Sequence, residues 1–371
     1  MKISVITLHT VNNYGSVLQT YATQQVLEEL GCEVEFVDYC RKVNTDAAAV
    51  EKILQSQTAQ RFKGIWDANS LTRKMIKIPV SMMLARKSAP MKKFIRERIH
   101  LTPRSYFSFE ELLEDTPTAD VYMTGSDQVW NSIWNKGIEK PYFLEYAPMG
   151  KRRISFAASF GKTSLDEDEI APTRSMLMKY SHISVREQSG VTLLQSIGIP
   201  SVQVLDPTLM LTVDQWKTIA QPCKESFPFL LVYQLDNNPL MDRYAEELAK
   251  RKKWQILRIS YGYSGRQKFG RYPSVERLLG LFAGSECVLT DSFHATAFAL
   301  NFSKNFISVL PNRFGTRIES ILELTKTNNH LLKSFDDFSV VDNPIDWNSV
   351  CTKLNHERQR GMMFLKNAIY E

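Results

Sequence analysis

Four segments of the sequence place groups capable of chemistry where an apolar run gives way to a helix-like one. The first, Thr10–Ser16, carries Asn12, Asn13, Tyr14, Gly15 and Ser16 ahead of a helix. Glycine admits close backbone approach, and the free N–H groups at a helix start attract an anion. The ordinary alternative is a turn on the Asn pair with Ser16 as the helix cap. The second, GSDQVWN (Gly125–Asn131), sets Asp127 and Gln128 beyond a short strand. Asp127 is a candidate base for a hydroxyl, or else a capping residue. In the third, Arg186 follows the apolar HISV, where its planar fork suits a phosphate or carboxylate; the alternative is an ion pair with Glu187. The fourth, LTDSFHATAFAL, has Asp291, Ser292 and Phe293 after a strand and His294 in the first turn of an apolar helix. A helix N-terminus disfavours imidazolium, and His294 is a candidate general acid or phosphate ligand. Nearby, Arg313 and Arg317 are within reach of the same cleft.

The elements that must position these loops alternate along the chain. Lys2–His9 reads as a strand, Val17–Leu30 as a helix ended by Gly31, and Glu33–Tyr39 as a second strand. Further strands are expected at 121–124, 153–158, 182–186 and 202–205. The second half repeats the style, with strands at 229–234, 255–260, 287–290 and 306–309 between helices. Such alternation gives an α/β chain of two Rossmann-like domains facing across a cleft, with ligands beyond the carboxyl ends of the strands. Residues 1–205 form the first domain and 206–345 the second. A C-terminal helix over 346–371 packs back on the first domain. Residues 44–102 read as a helical insertion in which Lys63 to Arg98 is rich in Lys, Arg and apolar residues, with only Asp67 and Glu97 acidic.

At 371 residues the chain fits two domains of roughly 100–200 residues each. The short apolar start and the lack of an uninterrupted apolar run of ~18 residues predict a cytoplasmic protein. Five scattered cysteines without a CxxC predict neither a disulfide framework nor a metal site. A net charge of +6 favours anionic small molecules or acidic lipid surfaces, and no nucleic-acid-binding motif accompanies it. The first loop is not GxGxxG, which disfavours NAD.

In order along the chain, ITLHTVNNYGSVLQTYA, GSDQVWN, FAASFG, ISVREQSGVTLLQSIG with LDPTL, and TDSFHATAFAL with RFGTRIESILEL resemble the polysaccharide pyruvyltransferase family. The resemblance runs from Lys2 to about Leu324, apart from the basic insertion. It implies a glycosyltransferase-B-like fold, phosphoenolpyruvate as donor substrate with no cofactor, and a sugar or lipid-linked oligosaccharide acceptor that receives a cyclic pyruvate ketal during surface polysaccharide (exopolysaccharide or capsular) synthesis. It also implies that Arg186 and His294 hold the donor's phosphate and carboxylate. Relatives read Ser-Arg-Leu-His where this chain has Asp291-Ser292-Phe293-His294, so Arg317 or Arg313 is expected to replace the arginine missing at Ser292. SFG (Ser159–Gly161) likewise lacks a His found in some relatives.

Ketal formation needs an acid for the donor's methylene carbon and a base for the acceptor hydroxyls; His294 and Asp127 are the expected pair. If the acceptor is lipid-linked, residues 63–98 are expected to rest on an anionic membrane. The rival enzyme is a nucleotide-sugar glycosyltransferase of the same layout, with Glu319 the only nearby ribose-binding candidate. A non-catalytic assembly protein would not need Asp127, Arg186 and His294 at strand ends.

Overall fold

The computed structural model describes residues 1–41, 50–51, 70–260, 272–312 and 315–371. Arg313 and residues 63–69 of the basic stretch lie outside the described residues.

The first sheet is built from β1 (Lys2–Ile6), β2 (Glu33–Tyr39), β3 (Leu101–Tyr106), β4 (Val121–Thr124), β5 (Arg152–Ala158), β6 (His182–Val185) and β7 (Val202–Gln203). Its order is β3-β2-β1-β4-β5-β6-β7, and every pairing is parallel. The second sheet contains β8 (Phe229–Gln234), β9 (Gln255–Ser260), β10 (Cys287–Thr290) and β11 (Asn305–Ser308), in the order β11-β10-β8-β9 and again parallel. Parallel strands are covered on both faces, so they read as nearly continuous apolar runs; VYMT and CVLT are buried at every position. These are two Rossmann-like domains, each a parallel sheet with helical crossovers.

β3 corrects the sequence-based boundary of the insertion. Its sequence, LTPRSY, is polar and contains Pro103, which an edge strand tolerates because its outer N–H needs no ladder partner. It follows α2 (Ser70–Arg98), the described part of the basic stretch, which contains Pro79 and Pro90.

The domains share an apolar core. It joins α1 (Tyr14–Glu29) and α2 to the crossover helices α7 (Pro207–Met210) and α8 (Val213–Lys217), and to α11 (Phe293–Asn301) of the second domain. Trp216 sits at the centre, with Tyr21 at 5.8 Å and Phe298 at 5.1 Å between ring centroids. The last helix, α13 (Trp347–Tyr370), spans both domains. Arg358 donates to the Leu209 carbonyl (2.8 Å), while Arg152 of the first domain donates to the Ile369 carbonyl (2.7 Å). No helix among the described residues is long and apolar enough to cross a membrane.

Candidate active site between the domains

The loops singled out in the sequence converge where β1, β4, β5 and β6 of one domain end against β10 and α11 of the other. Arg186, at the end of β6, is the buried hub; its side chain is 0% exposed. It donates to Asp206 Oδ2 at 2.7 Å and to Asp127 Oδ1 at 3.1 Å, and its Nε lies 3.7 Å from Glu187 Oε2. Burial opposes the charge on Arg186, but Asp127 and Asp206 outweigh it and raise the guanidinium pKa further. Two of the three Arg186 nitrogens are thus engaged by the protein's own carboxylates, and its Nε is buried without a hydrogen-bond partner.

Asp127 adopts a left-handed backbone (φ 76°), a conformation more accessible to Asp than to most residues. The bend aims its Oδ2 at the Ser16 hydroxyl, which donates at 2.6 Å, while Oδ1 also accepts from Gln128 N–H. Burial works against ionisation, yet Arg186 and Ser16 prevail and hold the carboxyl well below the usual range. Such a group is a weak proton acceptor at neutral pH. The geometry gives Asp127 the work of fixing Ser16 and Arg186.

The ordinary capping roles fall to other residues. Asn13, not Ser16, caps α1 by accepting from Gly15 N–H (2.8 Å), and Asn131 caps α4 (Ser132–Asn135). Gln128 accepts from Asn131 at 2.7 Å. That pair packs on Gly161, where an added Cβ would meet Gln128 Oε1 at 2.1 Å, so SFG supports the Asp127 loop by close approach. Tyr14 donates to the Pro273 carbonyl across the domains. Asn12 stands apart, lining a cavity at the ends of β1–β3. Asp291 accepts from the N–H groups of Leu235 and Asp236 (2.7 and 2.8 Å), clamping the loop after β8; burial pushes its pKa up to about 6. Ser292 caps α11. These two expected substrate contacts therefore build the site from beneath.

His294 and Arg317 join the cluster from the second domain. An added Cβ on Gly15 would lie 2.1 Å from His294 Nδ1; the starts of α1 and α11 thus meet here, glycine against imidazole. His294 Nε2 is buried without a hydrogen-bond partner, 3.8 Å from Asp206 Oδ2. Burial lowers the His294 pKa to about 4, leaving the ring neutral at pH 7. Arg317, in the first turn of α12 (Thr316–Thr325), has a buried Nε without a partner. Burial and the like charge of Arg186 bring its pKa down to about 10, so it stays a cation. Both arginines lie against the Phe293 ring, Arg186 5.0 Å and Arg317 5.8 Å from its centroid.

Sequence reasoning missed two members of this cluster. Asp206 was visible only as the Asp-Pro turn between the domains, yet it binds Arg186, Ser126 and Thr208. Glu187 entered only as a partner for Arg186. It accepts from Ser159 at 2.6 Å, and burial raises its pKa. No group of three or more metal-ligating acidic, His or Cys side chains occurs among the described residues.

The polysaccharide pyruvyl transferase family model matches residues 13–313. The chain belongs to that family. Three solved structures are similar in outline. A UDP-N-acetylglucosamine 2-epimerase from Neisseria meningitidis, bound to UDP-N-acetylglucosamine, is 9% identical over 97% of this chain and 94% of that one (TM-score 0.46). The Methanocaldococcus jannaschii UDP-N-acetylglucosamine 2-epimerase is 12% identical over 96% and 93% (0.46). A spinosyn rhamnosyltransferase is 10% identical over 100% and 95% (0.38). No curated protein matches the sequence significantly. In this pyruvyl transferase the matched region contains Asp127, Arg186, Asp206 and His294, whereas Arg317 lies just beyond it.

Proposed function

We propose that this pyruvyl transferase moves the pyruvyl group of phosphoenolpyruvate onto two hydroxyls of a sugar, forming a cyclic ketal. One observation carries the donor assignment: Arg317 has a buried Nε without a hydrogen-bond partner, on the side of the cluster where His294 Nε2 is also unpaired. A partly buried cation without a carboxylate partner is incompletely compensated for the water it has lost, and an anionic ligand relieves that cost. The N-terminus of α11 adds its N–H groups and dipole. Arg317 accordingly takes the place of the arginine absent at Ser292.

In the proposed reaction the donor's methylene carbon gains a proton and an acceptor hydroxyl adds at the neighbouring carbon. Phosphate leaves with the electron pair of its C–O bond, and the second hydroxyl closes the ketal. Of the two hydroxyl protons, one balances the methylene protonation and the other leaves with phosphate. Arg317 holds donor charge throughout. His294 is neutral in the empty site, and a bound dianion raises its proton affinity; this fits it to bind phosphate and to deliver the proton. Arg186 and Asp127 hold this geometry as positioning residues. The acceptor is a surface-polysaccharide precursor at the cytoplasmic face, and the basic α2, with Ile78, Met82 and Met83 exposed, faces an anionic membrane.

A thermal-shift titration with phosphoenolpyruvate, beside UDP-sugars and NAD, tests the donor. At about 100 times its dissociation constant a ligand adds ~2.7 kcal/mol of stability, and Arg317→Ala should abolish the response. A shift for a nucleotide sugar and none for phosphoenolpyruvate would transfer the chain to the glycosyltransferase reading.

A further inference from the structure

Phe293 lies within the donor cluster, yet it carries no group that could hold an anion or move a proton. It is the first residue of α11, directly after the Ser292 cap, and its ring is buried. Three nitrogen-bearing side chains lie against that ring. The guanidinium carbon of Arg186 is 5.0 Å from the centroid and that of Arg317 5.8 Å, while the His294 imidazole stands edge to face at 5.3 Å. Both guanidinium groups are over the ring and within the ~6 Å at which an aromatic face attracts a cation. An aliphatic side chain would fill the same space without attracting either.

The two arginines depend on this ring to different degrees. Arg186 is already held through its Nη1 and Nη2, which donate to Asp206 and Asp127. Arg317 is only half-buried, and among the described residues it forms no ion pair with a carboxylate. The like charge of Arg186 opposes its approach to the cluster. A long, flexible side chain under that repulsion would turn out to water unless something drew it back, and the Phe293 face supplies that attraction. A ring holds a guanidinium through its charge and leaves the N–H groups at its edge for an oxygen ligand. A carboxylate partner would occupy those same N–H groups.

We propose that Phe293 is a positioning residue, holding Arg317 over its ring so that the guanidinium edge is presented to the anionic donor. This deepens the pyruvyl-transfer reading and rests on it for the identity of the donor. The ring also lines a cavity of about 90 Å³ between the domains, together with Arg186, Gln203, Ser320 and Glu357. Truncation to alanine would enlarge that space, whereas leucine keeps apolar bulk and removes the aromatic face.

Dissociation constants for phosphoenolpyruvate and for inorganic phosphate, from thermal-shift titrations of the full chain, test the assignment. The variants are Phe293→Leu and proteins carrying mono-, di- or trifluorophenylalanine at position 293, since fluorine drains the ring face with little change of shape. Affinity for both anions should fall stepwise with fluorine number, and Phe293→Leu should weaken it about tenfold. Unchanged affinity across the series would overturn the inference. A loss in Phe293→Leu without the fluorine gradient would do the same, because it would make the ring a packing group. A falling urea midpoint with affinity intact would give the ring to Arg186 instead and equally overturn it. None of these results touches the donor reading while phosphoenolpyruvate still shifts the wild type. Ring-dependent binding of phosphate with no preference for phosphoenolpyruvate sinks the donor reading alone, and binding of neither anion sinks both.

Discussion

Two arginines flank the Phe293 ring, and their surroundings differ in one respect that decides their work. Arg186 sits on the first-domain side, tied to Asp206 and Asp127 and close to Glu187. Arg317 approaches from the second domain and, among the described residues, forms no ion pair with a carboxylate; the Nε of each arginine is without a hydrogen-bond partner. A guanidinium enclosed by carboxylates is neutralised in place and fixes the loops that supply them. One left without a carboxylate gains most when an anion arrives. The same side chain at two strand-end or helix-start positions therefore serves scaffold in one case and ligand in the other, and the partners alone distinguish them.

The largest expected effect lies in stability. Arg186→Ala removes the common partner of two buried carboxylates and should cost about 3–5 kcal/mol, read as a lowered urea midpoint. Arg317→Ala should be neutral or stabilising in the same measurement, because it removes a partly buried charge that has no carboxylate ion pair among the described residues. Equal losses in the two variants would erase the distinction between them.

His294 sharpens the comparison through pH. Its folded pKa of about 4 lies below the ordinary value of 6.5. As pH falls from 6.5 to 4, the unfolded chain takes up a proton that the folded chain refuses, so stability is lost across that window. For this group alone the loss is about 2 kcal/mol at pH 5. Asp291 and Glu187, whose pKa values are raised, act in the opposite direction, but they are common to wild type and variant. His294→Asn should therefore melt progressively better relative to wild type between pH 7 and pH 5. A constant difference would place the imidazole in a more solvated setting than the unpaired side of the cluster.

Gly15→Ala is the smallest change in atoms. The new Cβ, 2.1 Å from His294 Nδ1, must displace the imidazole or part the domains. Overpacking of this kind costs about 1–3 kcal/mol, while turnover should fall more than tenfold because the ring leaves Arg317. Unchanged turnover would mean that the Gly15–His294 contact sets packing only.

Much of this was legible beforehand, for identifiable reasons. The buried parallel strands announce themselves as apolar runs, and Asp127, Arg186 and His294 each stand at the end of one. β3 was not legible, because an edge strand with Pro103 lacks the apolar signal. The division of labour was not legible either. Asp206 lies 20 residues from Arg186 along the chain, and Ser16 lies 111 residues from Asp127, so no local pattern records that these groups meet.

What the sequence determined by itself is the alternation of strands and helices and the set of polar residues at their junctions, since periodicity and chain direction are local properties. Tertiary structure alone decided which of those residues are spent on one another. That depends on burial and on partners brought together across two domains. Close packing at Gly15 and the ion pairs of Arg186 leave His294 Nε2 without a hydrogen-bond partner and Arg317, among the described residues, without an ion pair to a carboxylate. An unpaired cation in a low-dielectric site is where an anion gains most, because water cannot screen the attraction.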